Sequence, residues 1–297
     1  MGALAVRRRL RRATAALLLA VVLAIAAGGC RALLEPFDEG TPGAAEASGA
    51  ASLLRVSVCW PAVPLAEQIS TALSADTPNL AVQLTRGDEP SPAHLLDESQ
   101  ADLAIVALPA EGAQPPTVPD AWESYRPVLL AIDALGVLVH TSSPLRSVST
   151  EQLARLYGGY VLDWSALEAG SGAPEWVSTP AGAASRDLFV ARVLGGEPPS
   201  SATVLVPNDR AVSEYVAAHP RALGFASMAT LGEGVRVLAL DGVTPTAANV
   251  ARGDYAHTWA LYALVSPSAP AAATAWIALA TSSAGQELIA ERYTLPD

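Results

Sequence analysis

Two α/β lobes on a hinge are the fold class that this sequence predicts from residue 53 onward. Three observations predict it. Strand-like and helix-like stretches alternate from "LLRVSVCW" (53–60) through "ADLAIVAL" (101–108), as a parallel sheet with crossover helices requires. One apolar stretch, "VLLAIDALGVLVH" (128–140), exceeds ordinary strand length and reads as a strand crossing between lobes. Helix starts repeatedly follow strands, which places strand-to-helix loops around a cleft where a ligand would sit.

In order, "LLRVSVCW" alternates and is rich in β-formers, so it is the first strand. "PLAEQISTAL" puts Leu65, Ile69, Ala72 and Leu73 on one helical face. "LAVQL" is the second strand, "PAHLLDES" a short helix, and "ADLAIVAL" a third strand buried on both faces. "PTVPDAWESYRP" is a Pro-rich loop before the crossing strand. "STEQLARLYGG" opens on a capping box, Ser149 with Gln152, and closes on Gly158. "TPAGAASRDLF" (179–189) is a loop of small residues feeding a helix from Ser185 to Gly195, with Ser185 as its cap. "NDRAVSEYVAAHP" is a helix stopped by Pro220, with Asn208 or Asp209 at its cap. "ALGFASM", "VRVLAL" and "TWALYALVS" are strands. Two helices close the chain, the second capped by Ser283 with Gln286 at N3.

The first 52 residues are not part of this fold. "MGALAVRRRLRR" carries five Arg and precedes the 15-residue apolar run "ATAALLLAVVLAIAA". This is the pattern of a secretory signal, residues 1–29, and the run is short for a membrane span. "AAGGC" resembles a bacterial lipobox with Cys30 as the lipidated residue, although Ala27 stands where a Leu is usual. An uncut signal anchor is the other reading; both place the domain outside the cytoplasm. Residues 30–52 then have linker composition.

All 18 basic residues are Arg, which excludes a P-loop Lys and a Schiff-base Lys. From Cys30 onward 13 basic face 29 acidic residues, about −16, a field that disfavours nucleic acid. Cys59 has only Cys30 as a companion, so no disulfide is expected within the domain, and Cys59 reads as a small buried hydrophobe. His94, His140, His219 and His257 are scattered without metal-ligand spacing. "EAGSGAP" is a turn rather than a nucleophile elbow. The acid pairs Asp38–Glu39 and Asp97–Glu98 read as solvated. No cofactor, metal or catalytic residue is predicted. What remains is a set of helix N-termini whose amides can hold an anion without any cationic side chain.

The order of "ADLAIVALP", "AIDALGVLVHTSSPLRSVSTEQLARLYGGYVLDWSAL", "SRDLFVARVLGGE", "AVSEYVAAHPRALGFASM", "GVTPTAANVARGDYAHTWALYALVS" and "SSAGQELIAERYTLP" resembles the PstS-like substrate-binding proteins of phosphate ABC transporters. The resemblance spans residues 53 to 296. It implies a type II periplasmic-binding-protein-like fold, with lobe one at 53–132, lobe two at 133–236 and a return to lobe one at 237–297. It also implies an oxyanion ligand held by loop hydroxyls and helix amides and an ABC permease as partner; the expected protein is a monomer tethered through the Cys30 lipid to the outer face of the cytoplasmic membrane.

This chain departs from the pattern at the ligand loops. "CWPAVPLAE" puts Cys59, Trp60 and Pro61 where hydroxyls are expected. "TRGDEPSP" keeps only Gly87 and Ser91 of a Gly-Ser-rich second loop. Ala107 stands where some members have an acceptor Asp. The helix entry is Gly182-Ala183-Ala184-Ser185, and Thr179 is near an expected Arg. Each lost charge-assisted hydrogen bond removes about 1.5–3 kcal/mol. Amides at Ala184, Ser185 and Arg186 remain as donors. Arg86 and Arg186 can supply charge or simply be solvated, and Trp60 can stack on a ligand or pack between loops. The sequence thus predicts a solute-binding lipoprotein for a small anion or another small solute. A sensory or structural lipoprotein that kept the fold with a different ligand, or none, is the alternative.

Overall fold

The structure is a computed structural model; it describes residues 52–88, 91–161, 163–167 and 171–296. The signal run, Cys30 and the linker up to residue 51 lie outside the described residues.

Three parallel strands open the first lobe: β1 (Ser52–Val58), β2 (Leu80–Arg86) and β3 (Leu103–Ala110), with β1 between the other two. Helices α1 (Val63–Asp76) and α2 (Pro92–Asp97) make the crossovers. The apolar face of α1, including Leu65, Ile69 and Leu73, is buried as its 3.6-residue period requires. Strand β4 (Val128–His140) is the predicted crossing strand. Its first half pairs with β10 (Thr258–Val265), which in turn pairs with β3. Its second half pairs with β8 (Ala222–Ser227) on one side and β9 (Val235–Leu240) on the other. One strand therefore belongs to both lobes, and the sheet order runs β2-β1-β3-β10-β4-β8 before continuing into the second lobe.

The second lobe repeats the parallel logic. β6 (Glu175–Ser178) lies between β7 (Val204–Leu205) and β8, parallel to both; short β5 (Ser147–Val148) pairs with β9. Its helices are α3 (Thr150–Tyr157), α4 (Ala184–Arg192) and α5 (Asp209–Ala218). Phe189 of α4 stacks on Phe225 of β8 at 3.9 Å, and Tyr157 of α3 meets the Phe189 ring edge-on. Gly224 lets α5 approach β8: a Cβ there would lie 2.6 Å from Val212 Cγ1. The chain closes with α6 (Ala247–Ala251), then β10, α7 (Ala271–Thr281) and α8 (Ser283–Ala290).

The expected α3 capping box is present, with Ser149 Oγ accepting from Gln152 N and Gln152 returning the bond to Ser149 N. Two caps differ from the sequence expectation. Helix α4 starts at Ala184 with Ala183 as its cap, because Ser185 Oγ is turned into the protein. Helix α8 is capped by Ser282, whose Oγ accepts from Gly285 N, rather than by Ser283. Ala107 lies inside β3 opposite Leu261 rather than after the strand.

Candidate functional site: a cleft filled by a carboxylate

The carboxyl ends of the parallel strands decide what meets in the cleft. Val58 pairs with Arg86, so the residues after β1 and β2 emerge side by side at one sheet edge. Trp60 opens a 3-10 turn that runs directly into α1, and Gly87 N donates to Val58 O at 3.0 Å, holding the β2 loop against it. In the second lobe, the ends of β6, β7 and β8 bring Thr179, Asp209 and Ser227 together. The turn from Thr179 into α4 needs a left-handed residue, and Gly182 supplies it at φ 87°.

Asp88 joins the two sides. Its Oδ1 accepts from Trp60 N in lobe one and its Oδ2 accepts from Ala184 N in lobe two, both at 3.2 Å. Each donor sits in the first turn of a helical run, where N–H groups lack intrahelical partners and the local dipole favours negative charge. One carboxylate oxygen therefore sits on a helix start of each lobe.

The nine residues singled out from the sequence do not form one cluster. Ser91, Ala107 and Ala184 line a cavity of about 350 Å³ together with Asp88, Cys59, Asp187 and Trp259. Trp60 and Arg86 line a second cavity, of about 520 Å³, between α1 and α5. Arg86 is exposed and paired with Glu67 at 2.8 Å. Arg186 donates to Thr179 O at 2.9 Å. Ser91 caps α2 by accepting from His94 N. Ala183 is buried as the α4 cap, and Gly87 serves the loop backbone.

Ser185, 1 % exposed, donates its hydroxyl to Asp209 Oδ1 at 2.5 Å. Asp209, also 1 % exposed, accepts from Ser227 N through its other oxygen at 3.0 Å. Ser227 Oγ donates to Asp133 Oδ2 at 2.5 Å, and Asp133 Oδ1 accepts from Ala134 N at 2.8 Å. A continuous polar chain thus runs Thr179–Ser185–Asp209–Ser227–Asp133 behind the cleft wall. Asp209 is a member of that chain and Asn208 alone caps α5. Of the hydroxyls near the helix entry, Ser185 Oγ is spent on Asp209, Thr179 Oγ1 on Ser185 Oγ, and Ser178 Oγ on Thr179 O.

The electrostatics follow from burial without a cation. Burial pushes Asp88 up to about 6, with the negative charges of Asp209 and Asp187 adding and the two amides opposing. Burial raises Asp133 to about 7 and Asp209 to about 6, each held down partly by its hydrogen bonds. The same burial, with Asp88 nearby, raises the Cys59 thiol. Among the described residues no Arg side chain pairs with any of these three carboxylates, and no group of three or more His, Cys, Asp or Glu is arranged to hold a metal.

Asp88, Asp133 and Trp259 were not legible as site residues. Asp88 sits in "TRGDEPSP", of which only Gly87 and Ser91 stand out in the sequence; the available signal is a carboxylate within the very loop expected to supply donors.

Two α/β lobes that share a crossing strand and turn helix N-termini toward a common cleft define the bilobal ligand-binding class of fold. Residues 43–284 match the family described as a PBP superfamily domain, and the chain belongs to that family. It is 26 % identical over 127 residues to the phosphate-binding protein PstS of Bacillus subtilis (strain 168), an overlap of 42 % of each chain. The match thus spans less than half the length of that curated relative. A phosphate-bound putative phosphate ABC transporter substrate-binding protein from Clostridium perfringens has the same fold, with TM-score 0.73 and 17 % identity, covering 83 % of this chain and 100 % of the other. An ABC-type phosphate transport receptor from Vibrio cholerae gives TM-score 0.63 and 20 % identity, over 82 % of this chain and 100 % of the other.

Proposed function

We propose that this protein is an extracytoplasmic solute-binding lipoprotein that holds a small anion between its lobes and presents it to an ABC permease. The observation that carries this reading is the convergence of Trp60 N and Ala184 N, one from each lobe, on a single negatively charged group. Backbone donors aimed from two lobes at one point are a means of gripping an oxyanion, and they require no cationic side chain. Family membership and the names of the relatives favour phosphate as that anion. Cys30 supplies the tether and the Gly-, Ala- and Ser-rich segment after it supplies reach.

Calorimetry on the protein with phosphate and with sulfate, at about pH 5 and about pH 7.5, tests the ligand class. Heat that saturates for at least one anion at one of these values supports the reading. No heat for either at millimolar concentration refutes it. Loss of membrane association in a Cys30→Ala chain tests the tether separately.

A further inference from the structure

We propose that Asp88 is an internal ligand: its carboxylate occupies the two interlobe donors that an entering oxyanion would take, so free anion binds only in competition with the chain's own side chain. The proposal rests on the anion-binding reading of the cleft and deepens it.

The geometry carries it. A carboxylate presents two oxygens, and here each satisfies one backbone N–H on opposite lobes, Trp60 N and Ala184 N. A phosphate or sulfate offers the same pair of oxygens and more. The donors are not merely near the acid; they are consumed by it. The loop that carries Asp88 is pinned from behind, since Gly87 N bonds Val58 O and Gly87 holds φ 149°, a value that favours glycine. The acid is therefore presented to the cleft by the backbone rather than arriving by side-chain chance.

Trp259 forms part of the wall of the 350 Å³ cavity that contains Asp88 and Ala184. It is 1 % exposed, and its buried indole Nε1–H has no hydrogen-bond partner among the described residues.

The charges around Asp88 make the competition sensitive to protons. Asp187 faces it from α4, Asp209 from the start of α5, and Cys59 from the end of β1. Arg186 and Arg86, the two Arg that the sequence offers as a source of charge, are bonded to Thr179 O and Glu67. With its carboxyl raised by burial, Asp88 takes up a proton in mildly acid solution. A protonated Asp88 is a poorer acceptor for the two amides and carries no charge to repel an anion. Anion binding therefore strengthens as pH falls.

The latch also links the lobes. An Asp88 carboxylate bonded to both sides favours the closed arrangement before any solute arrives. Apparent affinity is then the intrinsic affinity multiplied by the fraction of molecules in which the donors are free.

The test compares wild type with Asp88→Ser and Asp88→Asn in the full chain. Sulfate is the main probe because its own charge is constant between about pH 5 and about pH 7.5; phosphate is run beside it. Asp88→Ser is expected to bind sulfate about tenfold tighter than wild type at about pH 7.5. Wild-type affinity is expected to rise by a similar factor on going to about pH 5, while the Ser and Asn variants rise by less, through Asp209 alone. Without anion, small-angle scattering is expected to show a larger radius of gyration for Asp88→Ser than for wild type. Equal sulfate affinity and equal pH dependence in wild type and both variants would overturn the proposal. If no protein binds either anion at any pH but the Ser variant still opens, the latch stands and the anion reading of the cleft fails. Should Asp88→Ser not fold, the Asn variant and the wild-type pH series decide the matter alone.

Discussion

Replacing Asp133 by Asn should remove a large part of the protein's acid stabilisation. Asp133 lies on β4 where that strand passes from one lobe to the other, and it is 2 % exposed. Burial raises its carboxyl from 3.8 to about 7 against the pull of Ser227 and Ala134. The sign is set by that direction. The folded state holds its proton more tightly than the unfolded state, so stability falls as pH climbs from about 4 to about 7. Between about pH 5 and about pH 7.5 an isolated group of this kind loses about 2.5 kcal/mol. Asp209 titrates in the same range and repels Asp133, so we take about 2 kcal/mol as the share that Asp133 removes. Asn cannot ionise. It keeps one acceptor for Ala134 N or Ser227 Oγ and presents an amide to the other. That mismatch costs about 1 kcal/mol, equally at both pH values. The readout is therefore a difference of differences. Wild type should melt higher at about pH 5 than at about pH 7.5, and the variant should lose about 4–8 °C of that gap. The general fall in net charge on acidification acts on both proteins and cancels. An unchanged gap in Asp133→Asn, or a wild type more stable at about pH 7.5, would refute the claim that a buried carboxylate carries this strain.

Ser185→Ala leaves Asp209 with Ser227 N as its protein donor and should cost about 1–3 kcal/mol in denaturant unfolding at neutral pH, less in acid. Phe189→Ala removes the ring stacked on Phe225 and touched by Tyr157, and should cost about 3–5 kcal/mol, read as a lower denaturant midpoint with an unchanged slope. Cys59 is 3 % exposed with its thiol raised by burial, so a disulfide-exchange reagent should label it slowly in the native domain and at once in denaturant. Rapid native labelling would contradict the burial.

The fold was largely legible because it depends on periodicity. Alternation in "LLRVSVCW", the 3.6-residue face of α1 and the length of "VLLAIDALGVLVH" are local signals, and β4 does cross from one half of the sheet to the other. Caps were legible to within one or two residues. Ser149 sits where it was expected, whereas Ser185 was misplaced because a buried Asp209, 24 positions away, competes for its hydroxyl. The site was much less legible for the same reason. Asp88 meets Ala184 across 96 positions, and Asp133 meets Ser227 across 94, so nothing in either local stretch marks the partner. The poverty of hydroxyls in "TPAGAASRDLF" was visible. That the gap is filled by a carboxylate from another loop was not.

The account turns on two backbone amides, Trp60 N and Ala184 N, being the anion donors of the cleft and being held by Asp88 in the resting protein. Amide proton–nitrogen NMR of the protein reads both directly. The account predicts that Asp88→Ser shifts these two resonances in the absence of anion. It also predicts that sulfate then moves them further along saturable curves, and that wild type follows only as pH falls toward about 5. Resonances of Trp60 and Ala184 that ignore both the substitution and the anion would contradict it.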